Sequence, residues 1–174
     1  VELVRNSELP RVMGELGELL KRRASDEEAA ANDPPVYLLI HGLQRFKKLK
    51  YEDDFDFSFD SDAEGPGPGA QLNEIVTEGT SYGLHVVATV DTYNNVNRFL
   101  SRKSLSEFEM RVIFQMSQND SAALVDSPAA SNLGLHRALF YNEHEGYLET
   151  FRPYALPGNE WVEEAGQALR RLID

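Results

Sequence analysis

Apolar positions in the first third of the chain follow two different periods. Leu9, Val12, Met13, Leu16, Leu19 and Leu20 recur at helical spacing and form one stripe. This predicts a helix capped by Ser7, with Pro10 in its first turn and Lys21, Arg22 and Arg23 at the negative end of its dipole. Residues 1–4 read as a short strand before it, and the polar, alanine-rich residues 24–33 as a helix tail and linker. Strand, helix, strand predicts a βαβ unit. Residues 36–40 break the helical pattern: two prolines introduce an unbroken apolar run that stops at His41-Gly42. A run of this kind, with no polar alternation, predicts a strand covered on both faces, as in parallel sheets flanked by helices. Ligands in such sheets sit just past the carboxyl ends of the strands, which singles out His41, Gly42 and Gln44.

The pattern continues in the same alternation. Residues 65–69, Gly-Pro-Gly-Pro-Gly, read as irregular, and residues 70–79 as a helix through Leu72, Ile75 and Val76 that ends at Gly79. A second covered strand spans residues 84–90, one short helix lies within residues 91–103, and a third covered strand spans residues 110–116. Ser117 is placed to cap a turn into residues 120–125. Residues 137–141 and 147–151 flank Glu143-His144-Glu145-Gly146 and predict a hairpin with Gly146 in a left-handed conformation. A last amphipathic helix, capped by Asn159, carries Trp161, Val162, Ala165, Leu169, Leu172 and Ile173. Strands alternating with helices and closed by a hairpin make an α/β domain, read as a single domain over residues 1–174 with an acidic, Gly/Pro-rich loop over residues 51–69.

Length and apolar content, Trp161 included, suffice for one sizeable core. Cysteine is absent, which removes disulfides and thiolate metal sites from consideration. No apolar run reaches the length of a membrane span and no signal peptide is visible, so membrane contact by this segment is not expected. Opening on Val1, the chain is expected to be a piece of something longer. With 17 Lys plus Arg against 29 Asp plus Glu, the net charge is −12, which repels phosphate backbones unless basic groups gather locally. They gather at Arg45, Lys47, Lys48 and Lys50, the candidate DNA-binding residues. Seven acids follow between Glu52 and Glu64, interleaved with Phe55, Phe57 and Phe59. Phosphate contact and self-neutralisation by this run both stay open for the patch, as do partner docking and a solvated loop for the run itself. A calcium loop at Asp60-x-Asp62-x-Glu64-Gly65 fails, because Gln71 stands where the bidentate acid belongs. His85, His136 and His144 are scattered, and no metal ligand set or nucleophile elbow stands out.

Several of these residues carry a family likeness. Glu78-Gly79 followed by Gly83-Leu84-His85-Val86-Val87-Ala88-Thr89 resembles the helix and strand after Walker B in FtsK/SpoIIIE-type ATPases, roughly "aR-aGIHlilATQ". Arg111-Val112-Ile113-Phe114-Gln115-Met116-Ser117 with Asp120-Ser121 is similar to that family's "RIaFqVsS…DSr", and Ala129 with Leu133-Gly134 to its "GAe.LLG.GdmL". The ordered match runs from residue 36 to residue 153. It implies an incomplete RecA-like parallel sheet flanked by helices, with a carboxyl-terminal β-hairpin. It also implies a cytoplasmic motor that threads DNA, or a protein in the type VII secretion relatives, as a homo-oligomeric ring. ATP and Mg2+ would serve the full-length protein, with none bound to this piece alone.

The departures from the family are equally specific. No G-x-x-x-x-G-K-[ST] occurs, so nothing here cradles β- and γ-phosphates, and the catalytic lysine is expected upstream of Val1. The Walker B acids, Asp-Glu in the family, read His41-Gly42; the sensor glutamine falls at Val90; Ala122 replaces the arginine of "DSr". The resemblance sets the phosphate-loop strand between residues 84–90 and 110–116. That slot would be filled by another chain, by residues 1–4, or by a rearranged sheet. His41 is either a degenerate nucleotide-site residue or a strand-end histidine bonded to a neighbouring loop. Arg111 and Arg102, with Arg98 beside it, are either arginine fingers or surface ion-pair partners. Gln44, Thr89 and Asp91 either touch a nucleotide or simply terminate their strands. The reading is therefore part of an FtsK/SpoIIIE-like ATP-binding DNA translocase motor; the alternatives are a catalytically degenerate docking or regulatory module and an unrelated α/β binding domain.

Overall fold

The first apolar stripe forms α1 (Leu9–Ser25), which buries Leu9, Met13 and Leu20. These face α2 (Pro68–Glu78), which buries Leu72, Ile75 and Val76. Each such side chain taken out of water contributes roughly 2 kcal/mol before the ordering cost. The helix starts later than its cap residue suggests. Glu8, not Ser7, is the N-cap, and its carboxylate accepts from the Arg5 amide at 2.9 Å instead of capping a helical N–H. Residues 2–4 form no strand; Glu2 pairs with Arg11 at 2.9 Å. The computed structural model describes residues 2–26, 28, 32–51 and 66–173. The acidic run and its suggested docking, self-neutralising and calcium roles lie outside the described residues.

The βαβ unit is therefore built one step later than the sequence suggests. β1 (Val36–Ile40) and β2 (Leu84–Ala88) are adjacent parallel strands, with α2 in the connection between them. Their register is level: Val36 faces Leu84 and Ile40 faces Ala88. α2 begins at Pro68, so Pro68 and Gly69, read as irregular, are its first turn. Proline is pre-set for that position, and Gly69 lies so close to the Lys50 carbonyl that a Cβ would collide with it. After Glu78 a 3-10 helix over Gly79–Tyr82 leads to Gly83 at φ +71°, where β2 starts.

Arg23 is the buried polar residue that organises this end of the sheet. It is only 2 % exposed. Its Nη1 donates to the Tyr82 carbonyl at 2.8 Å, and its Nη2 donates to the Pro34 carbonyl at 2.9 Å. Its Nε lies 3.4 Å from the Asp33 carboxylate, an ion-pair contact that lacks hydrogen-bond alignment. One guanidinium thus ties the end of α1 to the residues that precede both β1 and β2. Gly83 serves the same junction twice, by its positive φ and because a Cβ there would stand 3.2 Å from Arg23 Nη1.

Neither strand is covered on both faces. Tyr37 is 61 % exposed and Leu39 71 %, while Ile40 is buried, and Val87 of β2 is exposed on the same side as Leu39. Tyr37 stacks on its cross-strand partner His85 with centroids 5.0 Å apart. An apolar run has the capacity to be buried on both sides; among the described residues of this unit, helices cover one side. Past β2, the single expected helix is two: α3 (Tyr93–Phe99) and α4 (Arg102–Ser106). The extended Leu100 separates them, and Ser101 caps the second by accepting from the Ser104 amide at 3.0 Å. Buried Val96, Phe99 and Leu100 complete the core of this unit, Val1–Glu109.

The second unit, Met110–Asp174, has its own sheet. β3 (Met110–Ile113) is shorter than expected and pairs antiparallel with β4 (Ala138–Asn142), which pairs antiparallel with β5 (Tyr147–Phe151). The third strand is therefore not part of the parallel pair, and its own Met110 and Val112 are exposed, as is Phe114 beyond its end. The hairpin forms with Gly146 at φ +62°. Ser117 caps α5 (Gln118–Val125), accepting from the Asp120 amide at 3.1 Å. Ser121 is buried and does structural duty: its hydroxyl accepts from the Ala130 amide and donates to the Ser127 carbonyl. α6 (Asn159–Ile173) has Asn159 as its first helical residue, and Trp161 is 62 % exposed rather than part of a core. No described helix is long and apolar enough to cross a membrane.

Replacing Arg23 by Leu takes the guanidinium donors from the Tyr82 and Pro34 carbonyls and is expected to cost about 2 kcal/mol. Arg22→Leu, at an exposed position in the same turn, should stay within about 0.5 kcal/mol. Urea unfolding midpoints of the two variants check this; equal midpoints would remove Arg23 from its organising role.

Candidate functional site at the carboxyl ends of the parallel strands

The level register of β1 and β2 brings their carboxyl ends together, and the ladder runs on past both. The Thr89 amide donates to the Ile40 carbonyl at 2.9 Å, and the Leu43 amide donates to the Thr89 carbonyl at 2.9 Å. The Thr89 hydroxyl accepts from the Gly42 amide at 2.9 Å and lies 3.2 Å from His41 Nδ1. Thr89 is thus the centre of the site, in contact with both His41 and Gly42. Gly42 is in the left-handed region, φ +74°, ψ +63°, and opens a 3-10 helix over Leu43–Arg45. Leu43 anchors that helix in the core with no exposure, and Leu49 anchors the next turn, Lys47–Leu49.

Arg45 turns back over Gly42: a Cβ on Gly42 would lie 3.2 Å from Arg45 Cδ and 3.3 Å from its Nε. Arg45, Lys47, Lys48 and Lys50 are all exposed. Gln44 faces the other way, with its side-chain oxygen buried and without a hydrogen-bond partner among the described residues. The structure therefore brings together His41, Gly42, Arg45 and Thr89, and turns the Gln44 carbonyl oxygen away from solvent.

Asp91, two residues beyond Thr89, is committed to the start of α3. Its Oδ1 accepts from Asn95 Nδ2 at 2.7 Å and from the Thr92 hydroxyl at 3.3 Å. The Asn95 bond, foremost, holds its carboxyl below the usual carboxylate range. Thr92 caps the helix, accepting from the Asn95 amide at 3.2 Å. Arg98 and Arg102 are exposed on α3 and α4. In the other unit, the Arg111 guanidinium donates to the Leu124 carbonyl at 2.7 Å and to Glu143 Oε2 at 2.8 Å, and it lies over the Tyr141 ring. It joins β3, α5 and the β4–β5 turn.

The donor set at the strand ends does not fit a nucleotide-bound Mg2+. That ion prefers charged and carbonyl oxygens in near-octahedral array, whereas this edge presents an imidazole, a glycine and one hydroxyl already engaged on two sides. Gly42 adds a steric reason: at φ +74° a glutamate in its place would be strained by about 1 kcal/mol or more. The sequence singles out Thr89 as a nucleotide contact or a strand terminator, but its bonds to Ile40, Gly42 and Leu43 and its contact with His41 were hidden there. The signal that finds them is register, because a threonine one step past a level parallel pair faces the neighbouring strand's exit. No family model matches the chain, and no curated protein matches it.

Thr89→Val keeps the shape but leaves the Gly42 amide without its acceptor, an expected loss of about 1–2 kcal/mol. Thr89→Ser keeps the bond and should lose less than half as much. Chemical denaturation of both variants decides between a hydrogen-bonding and a packing role.

Proposed function

We propose that this chain is part of an FtsK/SpoIIIE-like, ATP-binding DNA translocase motor, or of a related motor that moves protein, working as a homo-oligomeric ring in the cytoplasm. The observation that supports the reading is the parallel adjacency of β1 and β2. It puts His41-Gly42 and Thr89 at one edge, in the order and spacing in which the resembled family carries its Walker B acids and the threonine before its sensor. The bare face of the same sheet, with Tyr37, Leu39 and Val87, is what an α/β sandwich presents when one covering layer comes from elsewhere. ATP and Mg2+ would then be held mainly by a phosphate loop and acids supplied by another segment or subunit, with Arg102 the exposed candidate for an arginine finger.

A second reading is favoured by one specific feature. The strand end carries an imidazole and a left-handed glycine where catalysis needs two acids, and Thr89 locks that arrangement in place. A domain built this way serves as a catalytically degenerate docking or regulatory module.

ATP hydrolysis by the full-length assembly, with and without duplex DNA, separates the two. The motor reading predicts DNA-stimulated turnover in the unaltered protein. No turnover there, with turnover gained in His41→Asp, favours the degenerate module. Gly42→Glu is best added second, because its backbone strain lowers stability by itself.

A further inference from the structure

We propose that α6 is a self-association surface, which pairs antiparallel, apolar face to apolar face, with α6 of a second copy of this chain. Trp161, Val162, Ala165 and Leu169 recur at helical spacing and share one face of the 15-residue helix. Trp161, Val162 and Leu169 are each more than half exposed, and no described residue of α6 is buried. Helices in water owe most of their stability to burying such a stripe. That demand is what a second copy meets.

Charge selects both the occupant and its direction. Glu164 and Arg171 lie seven residues apart on one flank of the stripe, and Glu163 and Arg170 lie seven apart on the other. The acids come early in the helix, and both arginines belong to its last turn. In an antiparallel pair each flank meets the same flank of the other copy, running the opposite way. Glu164 then stands beside Arg171 of the second copy and Glu163 beside its Arg170. The two-fold axis repeats both contacts, so every flanking charge meets an unlike one. That axis passes at the level of Gln167, which sets Ala165 opposite Leu169 of the second copy. A parallel pair would instead set acids beside acids and arginines beside arginines, which is unfavourable. The helix is therefore its own complement in one direction only.

At 1.5 Å per residue the seam is about 22 Å long. That is short for a tight dimer, so free chains associate weakly, and the contact gains strength where several copies are held together. The inference does not rest on the motor reading. This pairing is two-fold and uses the same surface on both copies, whereas a ring needs head-to-tail contacts.

Sedimentation of the 174-residue chain up to millimolar concentration should show a monomer–dimer equilibrium. Physiological salt screens the overall charge of −12 while sparing short-range pairs. Leu169→Glu puts a charge in the seam. Arg170→Glu with Arg171→Glu makes both ends of α6 acidic, and Glu163→Arg with Glu164→Arg adds basic groups at the other end. Each of the three should weaken self-association by about tenfold or more. Mixing the two charge variants should restore the dimer, which also shows that their helices remain intact. Because the chain lacks cysteine, orientation is read by joining Glu164→Cys and Arg171→Cys with a short bis-maleimide. The two should cross-link when mixed and far less when either is alone. A monomer at millimolar concentration, association unchanged in the seam and charge variants, or cross-linking no greater in the mixture would each overturn the proposal.

Discussion

The level start of β1 and β2 depends on one buried guanidinium. Arg23 satisfies the carbonyls of Tyr82 and Pro34, one on the approach to each strand, while Asp33 balances its charge. Burying an arginine costs several kcal/mol unless its donors are used; here they are spent on backbone oxygens that would otherwise be orphaned. Because the two strands begin level and are both five residues long, they also end level. That lets Thr89 reach across to Ile40, Gly42 and His41. The site at one end of the pair is thus a geometric consequence of the clamp at the other.

Chemistry at that edge follows from which groups are already engaged as much as from residue type. Histidine is a common metal ligand, and a strand end is a common place to find one. At this edge the Thr89 hydroxyl, which accepts from the Gly42 amide, also lies 3.2 Å from His41 Nδ1, so that ring nitrogen is already engaged within the chain. Gly42 in turn owes its left-handed backbone to the sharp exit from β1 into the 3-10 helix anchored by Leu43. The left-handed Gly42 and the contacts of Thr89 to both Gly42 and His41 make this strand exit one connected arrangement.

Much of the secondary structure was legible in the sequence where one local rule decides the outcome. The stripe from Leu9 to Leu20, the extent of β1, the Ser117 cap and the Gly146 turn formed as read, while β2 ends at Ala88, two residues before the end of its apolar run. The misses share a cause: each depended on a partner that periodicity does not encode. Arg23 reads as a dipole complement at a helix end, yet it is buried because three backbone segments converge on it. Ser7 loses its cap role because Glu8 is held by the Arg5 amide. Leu100 interrupts a helix because Ser101 offers a new cap. The strands were expected to be covered twice because an apolar run records what a strand tolerates, and not which layers exist to cover it. The places of His41, Gly42, Gln44, Thr89 and Asp91 after β1 and β2 were legible, but the contacts they make were not. Asp91 bonds the Asn95 side chain and the Thr92 hydroxyl, Arg111 braces its own unit, and the Gln44 side-chain oxygen is buried.

The account's central claim is that the edge formed by His41, Gly42 and Thr89, three residues without a carboxylate, does not fit a divalent cation of the Mg2+ kind. Paramagnetic broadening by Mn2+, a stand-in for Mg2+ with similar ligand preferences, tests this most directly on the labelled chain. The account predicts that the amides of His41, Gly42, Leu43 and Thr89 stay sharp while Mn2+ broadens resonances beside carboxylates elsewhere. Selective broadening centred on His41 and Thr89 would contradict it.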